Sequence, residues 1–402
     1  GQGQQQGQQY FAPVPAPVPV DPSLSIPLEP QVFAHGGAAD CLVIVPRPRE
    51  LFRKKREVAE AGPEKLQVFA DFEHVMTAFG TADGERALGS AELLESSGAV
   101  RASALLQLGA IADDFEHAEY MDHAAFQDLA IRCQQVVATE GALHIASVAP
   151  VVRDTVSKMG LREGWAQALQ SLSLKGVPTY IFSSGYGDVV AQAILQALTT
   201  LSGGALLQLP QNLRIVSNFF RTAPDGTVRA FSQPVVHERN KNATTAEAQM
   251  GFPVLQRPYA LVLGSHEDDV QMTDGVALKQ QISIGFLELS EDLAQRLPVY
   301  LSAFDAVVVG DGSFQYVRSV VDDLLKITAP VAPASGIPNA AGLAMGLRNR
   351  FGALLNPLLN PAAVPSFPPG GQGQGYPPRS QPQSQSQPQP QQQYQQYQPQ
   401  QY

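Results

Sequence analysis

The stretch Leu66-Gln67-Val68-Phe69-Ala70-Asp71-Phe72-Glu73 reads as a short, mostly apolar strand that runs straight into two carboxylates. A run of this length without alternation suits a strand covered on both faces, as in a parallel sheet. Runs at 178–182, 213–217, 259–264 and 306–309, with a sixth strand at 281–286, are predicted as its neighbours. Helical stretches alternate with them, so the chain is expected to be an α/β fold on a parallel sheet. More than about 100 residues separate the first two strands, far beyond the dozen or so that a parallel crossover requires. Within that interval, 91–108, 124–137, 149–157 and 165–173 carry apolar residues at three- and four-residue spacing. The first connection is therefore predicted to hold an inserted helical cap over the strand ends, where ligands bind in open α/β sheets.

Outward from this middle the composition changes. Residues 1–40 form a Gln/Pro-rich tail in which Pro13, Pro15 and Pro17 alternate, a pattern that favours polyproline II. Residues 365–402 are mostly Gln, Pro, Ser and Gly with Tyr376, Tyr394, Tyr397 and Tyr402, and Arg379 as the sole charge. Both tails are expected to be disordered, either as plain extensions or as segments that hold protein partners through their tyrosines. Between them lie a core at 41–80 and 176–327, a cap at 81–175, and a linker at 328–364. In the linker, Asn339 could cap a helix carrying Leu343, Leu347, Phe351, Leu354 and Leu355. That stripe either docks on the core or meets a partner helix or lipid surface. Arg47, Arg49, Arg53, Lys54, Lys55 and Arg56 cluster on an expected helix, read either as a solvated face or as a contact for an anionic partner.

Acidic residues outnumber basic ones by 37 to 27, a net charge of −10, which argues against a general nucleic-acid surface. Cys41 and Cys133, the two cysteines, cannot make a multi-bridge framework or a cysteine zinc site. No run approaches the roughly 18 to 20 apolar residues of a membrane span. The sequence starts at Gly1 and not at methionine, so a processed, soluble chain of an organelle (chloroplast or mitochondrion) or of the cytoplasm is expected.

Two carboxylates at i and i+2 just beyond a buried strand point the same way, into the cleft at the sheet's carboxyl edge. One can attack while the other passes protons; a plain loop opening is the competing reading. The second strand ends in Phe182-Ser183-Ser184-Gly185-Tyr186-Gly187-Asp188, where hydroxyls and glycine amides could hold a phosphate near a helix start, or merely turn the chain. Val236-His237-Glu238-Arg239-Asn240-Lys241-Asn242 adds a lysine, and Leu263-Gly264-Ser265-His266-Glu267-Asp268-Asp269 an acidic loop that runs on through Met272 to Asp274-Gly275. His74, His237 and His266 lack metal-ligand spacing and read as ordinary polar residues.

The order carboxylate, hydroxyl, lysine, acidic loop resembles the haloacid dehalogenase superfamily of phosphotransferases, and within it the pyrimidine 5'-nucleotidase family. The resemblance spans roughly residues 49–325. It is carried by Lys65-Leu66-Gln67 with Asp71-Phe72, Val177-Pro178 through Ser183-x-Gly185-x-Gly187-Asp188, Val216-Ser217-Asn218-Phe219, His237-x-x-Asn240-Lys241-Asn242 and Met272-x-Asp274-Gly275. It implies a Rossmann-like core with a helical cap inserted after the first strand, and Mg²⁺-dependent hydrolysis of nucleoside monophosphates through an aspartyl-phosphate. It also implies Asp71 as nucleophile, Glu73 at the acid/base position, Ser183, Ser184 and Lys241 on the substrate phosphate, and Asp71, Glu73, Ser265 and Asp269 at the metal positions. Leu93-Leu94-Glu95 loosely matches the family's substrate-recognition helix.

The departures fall on the chemistry. The family's Asp-Phe-Asp-x-Thr is here Asp71-Phe72-Glu73-His74-Val75, and its Gly-Asp-Ser-x-Gly-Asp is Gly264-Ser265-His266-Glu267-Asp268-Asp269. Glu73 shifts an acid by about 1 Å, a displacement that can cost about 10²-fold in rate. Val75 lacks the threonine hydroxyl, and Ser265 removes one charge from a site for a hard cation, which weakens the Mg²⁺ site. The expectation is an inactive 5'-nucleotidase-like domain serving as a binding or structural subunit of a larger assembly. The alternative is a working Mg²⁺-dependent pyrimidine 5'-nucleotidase, and a third reading is a nucleotide sensor that binds without hydrolysis.

Overall fold

The computed structural model describes residues 31–34, 41–115 and 123–326. The expected linker helix, the C-terminal tail and the first 30 residues lie outside the described residues. In chain order the elements are β1 (Gln31–Ala34), β2 (Cys41–Val45), α1 (Pro48–Ala61), β3 (Leu66–Asp71), α2 (Ser90–Glu95), α3 (Ala102–Phe115), α4 (His123–Glu140), α5 (Val148–Thr155), α6 (Trp165–Leu174), β4 (Thr179–Tyr186) and α7 (Gly187–Leu201). They continue with β5 (Leu213–Asn218), β6 (Phe220–Thr222), β7 (Val228–Phe231), α8 (Ala243–Met250), β8 (Tyr259–Gly264), β9 (Gln280–Leu287), α9 (Leu293–Ala303), β10 (Ala306–Gly310) and α10 (Gln315–Leu324).

The main sheet has eight strands in the order β1-β2-β10-β9-β8-β3-β4-β5. From β10 to β5 every pairing is parallel, and each of the six predicted runs is one of these strands. All six residues of β3 are buried. Leu66, Val68 and Ala70 pack into one hydrophobic layer and Phe69 into the opposite one, as the two-residue period of a strand demands. One layer also holds Leu51, Val58, Leu172, Val190, Ile194 and Val317 from α1, α6, α7 and α10. The other face is covered by α8 through Ala243 and Ala246 and by α9 through Leu293, Leu297 and Tyr300. After β3 the chain builds outward through β4 to β5, then returns to β8 on the other side of β3. This places a topological switch beside β3, and a crevice opens at such a point beyond the strands' carboxyl ends.

Three features depart from the sequence-based expectation. Gln31–Ala34, assigned to the tail, forms an edge strand antiparallel to β2, and β2 in turn runs antiparallel to β10. The stretch 91–108 is not one helix: α2 stops at Glu95, Ser97 Oγ donates to the Leu94 carbonyl, and Gly98 takes φ +82°. That left-handed conformation is open to glycine without steric cost, so the chain turns before α3 begins. The β6–β7 hairpin, absent from the predicted set, packs β7 against α4 and so joins the core to the inserted helices.

The basic cluster resolves into a helix face. Arg47 pairs with Glu50 at 3.1 Å, Lys54 with Asp305 at 2.7 Å, and Lys55 with Asp323 of α10. The Lys54 and Lys55 pairs tie α1 to its neighbours, a packing role that neither of the two readings anticipated.

Candidate active site

Asp71 ends β3 with its side chain 1% exposed, and Lys241, from the loop before α8, reaches it with Nζ 3.0 Å from Oδ1 and 2.9 Å from Oδ2. The Phe72 N–H donates to Oδ1 at 2.9 Å, and the Ser265 hydroxyl donates to Oδ2 at 3.0 Å. Burial pushes the Asp71 carboxyl well above its ordinary pKa, against the pull of Lys241. Burial also works against charge on Lys241, but Asp71, Glu238, Asp269 and Glu73 outweigh it and hold the ammonium well above its usual value. One cation thus sits among four carboxylates.

Glu73 lies in the turn after β3. Its Oε1 accepts hydrogen bonds from Ser90 Oγ at 2.7 Å and Ser183 Oγ at 2.9 Å, and its Oε2 is buried with no partner. Desolvation raises its pKa, with the ammonium of Lys241 opposing. A carboxyl whose pKa is raised binds its proton more firmly than a free one, which suits it to proton transfer. Ser183 and Ser184 come from the carboxyl end of β4. Gly185 follows them because a Cβ there would stand 1.9 Å from Ser90 Oγ. Ser184 Oγ donates to Glu238 Oε1 at 2.5 Å, and Glu238 Oε2 lies 2.5 Å from Lys241 Nζ.

The loop after β8 closes the site. Ser265 N and His266 N donate to Asp269 Oδ2 at 2.8 and 2.9 Å, and Gly264 leaves room for that carboxylate, since a Cβ would lie 2.4 Å from Asp269 Cβ. Asp269 is buried, whereas Asp268 and Glu267 turn outward. Of the three histidines, His74 packs at a tilt against Phe79 with centroids 4.8 Å apart, and His237 Nδ1 and His266 Nδ1 accept from the amides of Arg239 and Asp268.

The structure therefore brings Asp71, Glu73, Ser183, Ser184, Lys241, Ser265 and Asp269 into one crevice at the switch point. Two further residues join them that the motifs did not single out. Ser90 opens α2 across the insertion, and Glu238 stands within the lysine-bearing segment. On the far side of Ser90, Tyr186 OH donates to Glu95 Oε1 at 2.6 Å, and burial raises the pKa of Glu95.

Among the described residues no three His, Cys, Asp or Glu side chains form a cation cage. Ser265 nonetheless touches both Asp71 and Asp269, so two carboxylates converge there, and Glu73 keeps an unpartnered oxygen nearby. Mg²⁺ commonly takes one or two carboxylates and completes its shell with water and substrate phosphate. The donors fit a Mg²⁺ held jointly with a phosphate.

Residues 74–325, beginning just past Asp71 and Glu73, match the family model described as pyrimidine 5'-nucleotidase (UMPH-1). A 7-methylguanosine phosphate-specific 5'-nucleotidase of Gallus gallus is 25% identical over 71% of this chain and 97% of its own length. A putative cytosolic 5'-nucleotidase 3 of Caenorhabditis elegans is 22% identical over 70% of this chain and 74% of its own. The crystal structure of cytosolic 5'-nucleotidase IIIB bound to cytidine superimposes with a TM-score of 0.59 at 22% identity, covering 71% of this chain and 94% of that one. No helix among the described residues is long and apolar enough to cross a membrane.

Proposed function

Because this chain belongs to the pyrimidine 5'-nucleotidase family, with its haloacid dehalogenase fold, we propose that it hydrolyses the phosphomonoester of nucleoside monophosphates through Asp71. The observation that carries this reading is the buried Asp71 carboxylate at the switch point, with Lys241 Nζ within 3.0 Å of both its oxygens. In the proposed reaction an Asp71 oxygen attacks phosphorus, and Ser183, Ser184 and Lys241 donate to the phosphoryl oxygens on which charge sits. Glu73 gives its proton to the departing 5'-oxygen of the nucleoside. It then takes one from a water that attacks phosphorus, breaks the Asp71–phosphorus bond and releases inorganic phosphate. Asp71 and Asp269 would hold Mg²⁺, which when bound neutralises phosphate charge.

The substrate class follows the nucleotidase relatives named above, so 7-methylguanosine and pyrimidine monophosphates are the first candidates. The wall formed by α2, with Glu95 and Tyr186, is proposed to face the base. A cytoplasmic site is proposed from the cytosolic relative. A second reading is kept because of Glu73 and Ser265: a subunit that binds nucleotide or protein partners without turnover.

The test is phosphate release from a nucleoside monophosphate panel with Mg²⁺. Turnover by the native chain, reduced at least ~10³-fold in Asp71→Asn, is expected, since removing a covalent nucleophile costs on that order. A native chain that binds the monophosphates yet releases no phosphate would establish the second reading instead.

A further inference from the structure

Glu238 occupies a position that the reaction itself does not explain. Its carboxylate bridges two groups assigned above to the substrate phosphate: Oε1 accepts from Ser184 Oγ and Oε2 pairs with Lys241 Nζ, each at 2.5 Å. Two anionic oxygens spanning a hydroxyl and an ammonium are what a phosphoryl group would present to the same donors. We propose that Glu238 is a specificity-determining residue that sits in the phosphate subsite as a built-in competitor. A phosphomonoester then enters only by displacing it. The inference rests on the reading of Ser184 and Lys241 as phosphate ligands.

Mobility and charge both favour this assignment. The Glu238 side chain is 50% exposed, whereas those of Lys241 and Asp71 are 2% and 1% exposed, so of the three it has room to leave. It stands outside helix and strand, in a loop whose backbone is fixed independently. Asn240 Oδ1 accepts from His237 N at 2.8 Å, and Asn240 Nδ2 donates to the Val235 carbonyl at 2.8 Å. Rotation of the side chain alone can therefore clear the subsite. Asp71, Glu73, Asp269 and Glu238 already surround Lys241, so a phosphate arriving with Glu238 in place would meet four carboxylates and one cation. Departure of Glu238 removes one like charge and returns both donors to the ligand. The device discriminates against weak anions: a ligand must supply more charge or more contacts than a carboxylate does, which a dianionic phosphate held also by its nucleoside can.

The decisive measurement is calorimetric titration of the full chain with inorganic phosphate, comparing the native protein with Glu238→Ala and the double variant Glu238→Ala/Lys241→Ala. Glu238→Gln is carried alongside should the alanine variant fold poorly. Removal of a competing charge in direct contact predicts phosphate binding at least ~10-fold tighter in Glu238→Ala, with the gain abolished in the double variant. In turnover, KM for the nucleoside monophosphate should fall by a similar factor while kcat changes less. Equal or weaker phosphate binding by Glu238→Ala, with binding still lost in the double variant, overturns the competitor role and leaves the phosphate site standing. Failure of every form to bind phosphate would remove the phosphate site itself and the inference with it.

Discussion

Ser265 touches both carboxylates to which Mg²⁺ is assigned, donating from its hydroxyl to Asp71 and from its amide to Asp269. A neutral hydroxyl lets the two acids sit close with the Lys241 ammonium as their one cation. Ser265→Asp would crowd a third carboxylate into the same space, and like charges beyond what Lys241 offsets destabilise a buried site by several kcal/mol at most. The variant is expected to melt below the native protein in chelator, and to gain more than the native protein does from millimolar Mg²⁺; thermal melts with and without Mg²⁺ check both. The members of this crevice read from motifs stand at or just past the carboxyl ends of β3, β4 and β8 or on the lysine segment, where a parallel sheet gathers side chains at one edge. Ser90 was not legible. It meets Glu73 and Ser183 only because α2 folds back over the crevice, and the spacing of a sequence does not encode that return. Glu238 lay in a quoted segment, but its bond to Ser184 depends on a loop conformation set by Asn240.

At the scale of an element, α7 begins with an acid that the fold half-conceals. Asp188 has its pKa raised from 3.8 to about 6 by burial, against the hydrogen bond it accepts from the Phe220 amide at 2.7 Å. The folded chain therefore holds this proton to higher pH than the unfolded chain. Between these two values stability falls as pH rises, and above about 6 the full penalty applies. Asp188→Asn keeps an acceptor for Phe220 and removes the charge. It should raise the urea midpoint at pH 7.5, by roughly 1–3 kcal/mol in stability, with the gain vanishing near pH 4. The six central strands were legible because each is an apolar run bounded by polar or glycine-rich loops. β2 carries the same signal in Cys41-Leu42-Val43-Ile44-Val45, but its partner β10 lies far along the chain, and a pattern of alternating strand and helix passes over an antiparallel strand near the sheet's edge. The break between α2 and α3 depends on one residue, Gly98, whose backbone angle a helical period does not reveal.

Across the whole molecule, Arg162 joins three distant stretches just where the inserted helices return to the core. Its guanidinium donates to the carbonyls of His74 and Thr77 after β3, and to those of Gly310 and Gly312 at the end of β10. It also lies 4.9 Å from the Phe286 ring centroid. Arg162→Met would leave several buried carbonyls without donors, a loss on the order of 3–5 kcal/mol, measurable as a lower urea midpoint. Because Asp71 and its neighbours are held in place by this fastening, activity should fall with it. The strand order has a consequence for biosynthesis. β3 lies between β4 and β8, which follow it by roughly a hundred residues and by nearly twice that, so at about 5–20 residues per second the nascent chain carries an unpaired apolar strand for several seconds or more. Through that interval the emerging polypeptide presents a sticky apolar surface, and synthesis must run past β8 before Asp71 has a paired strand on both sides.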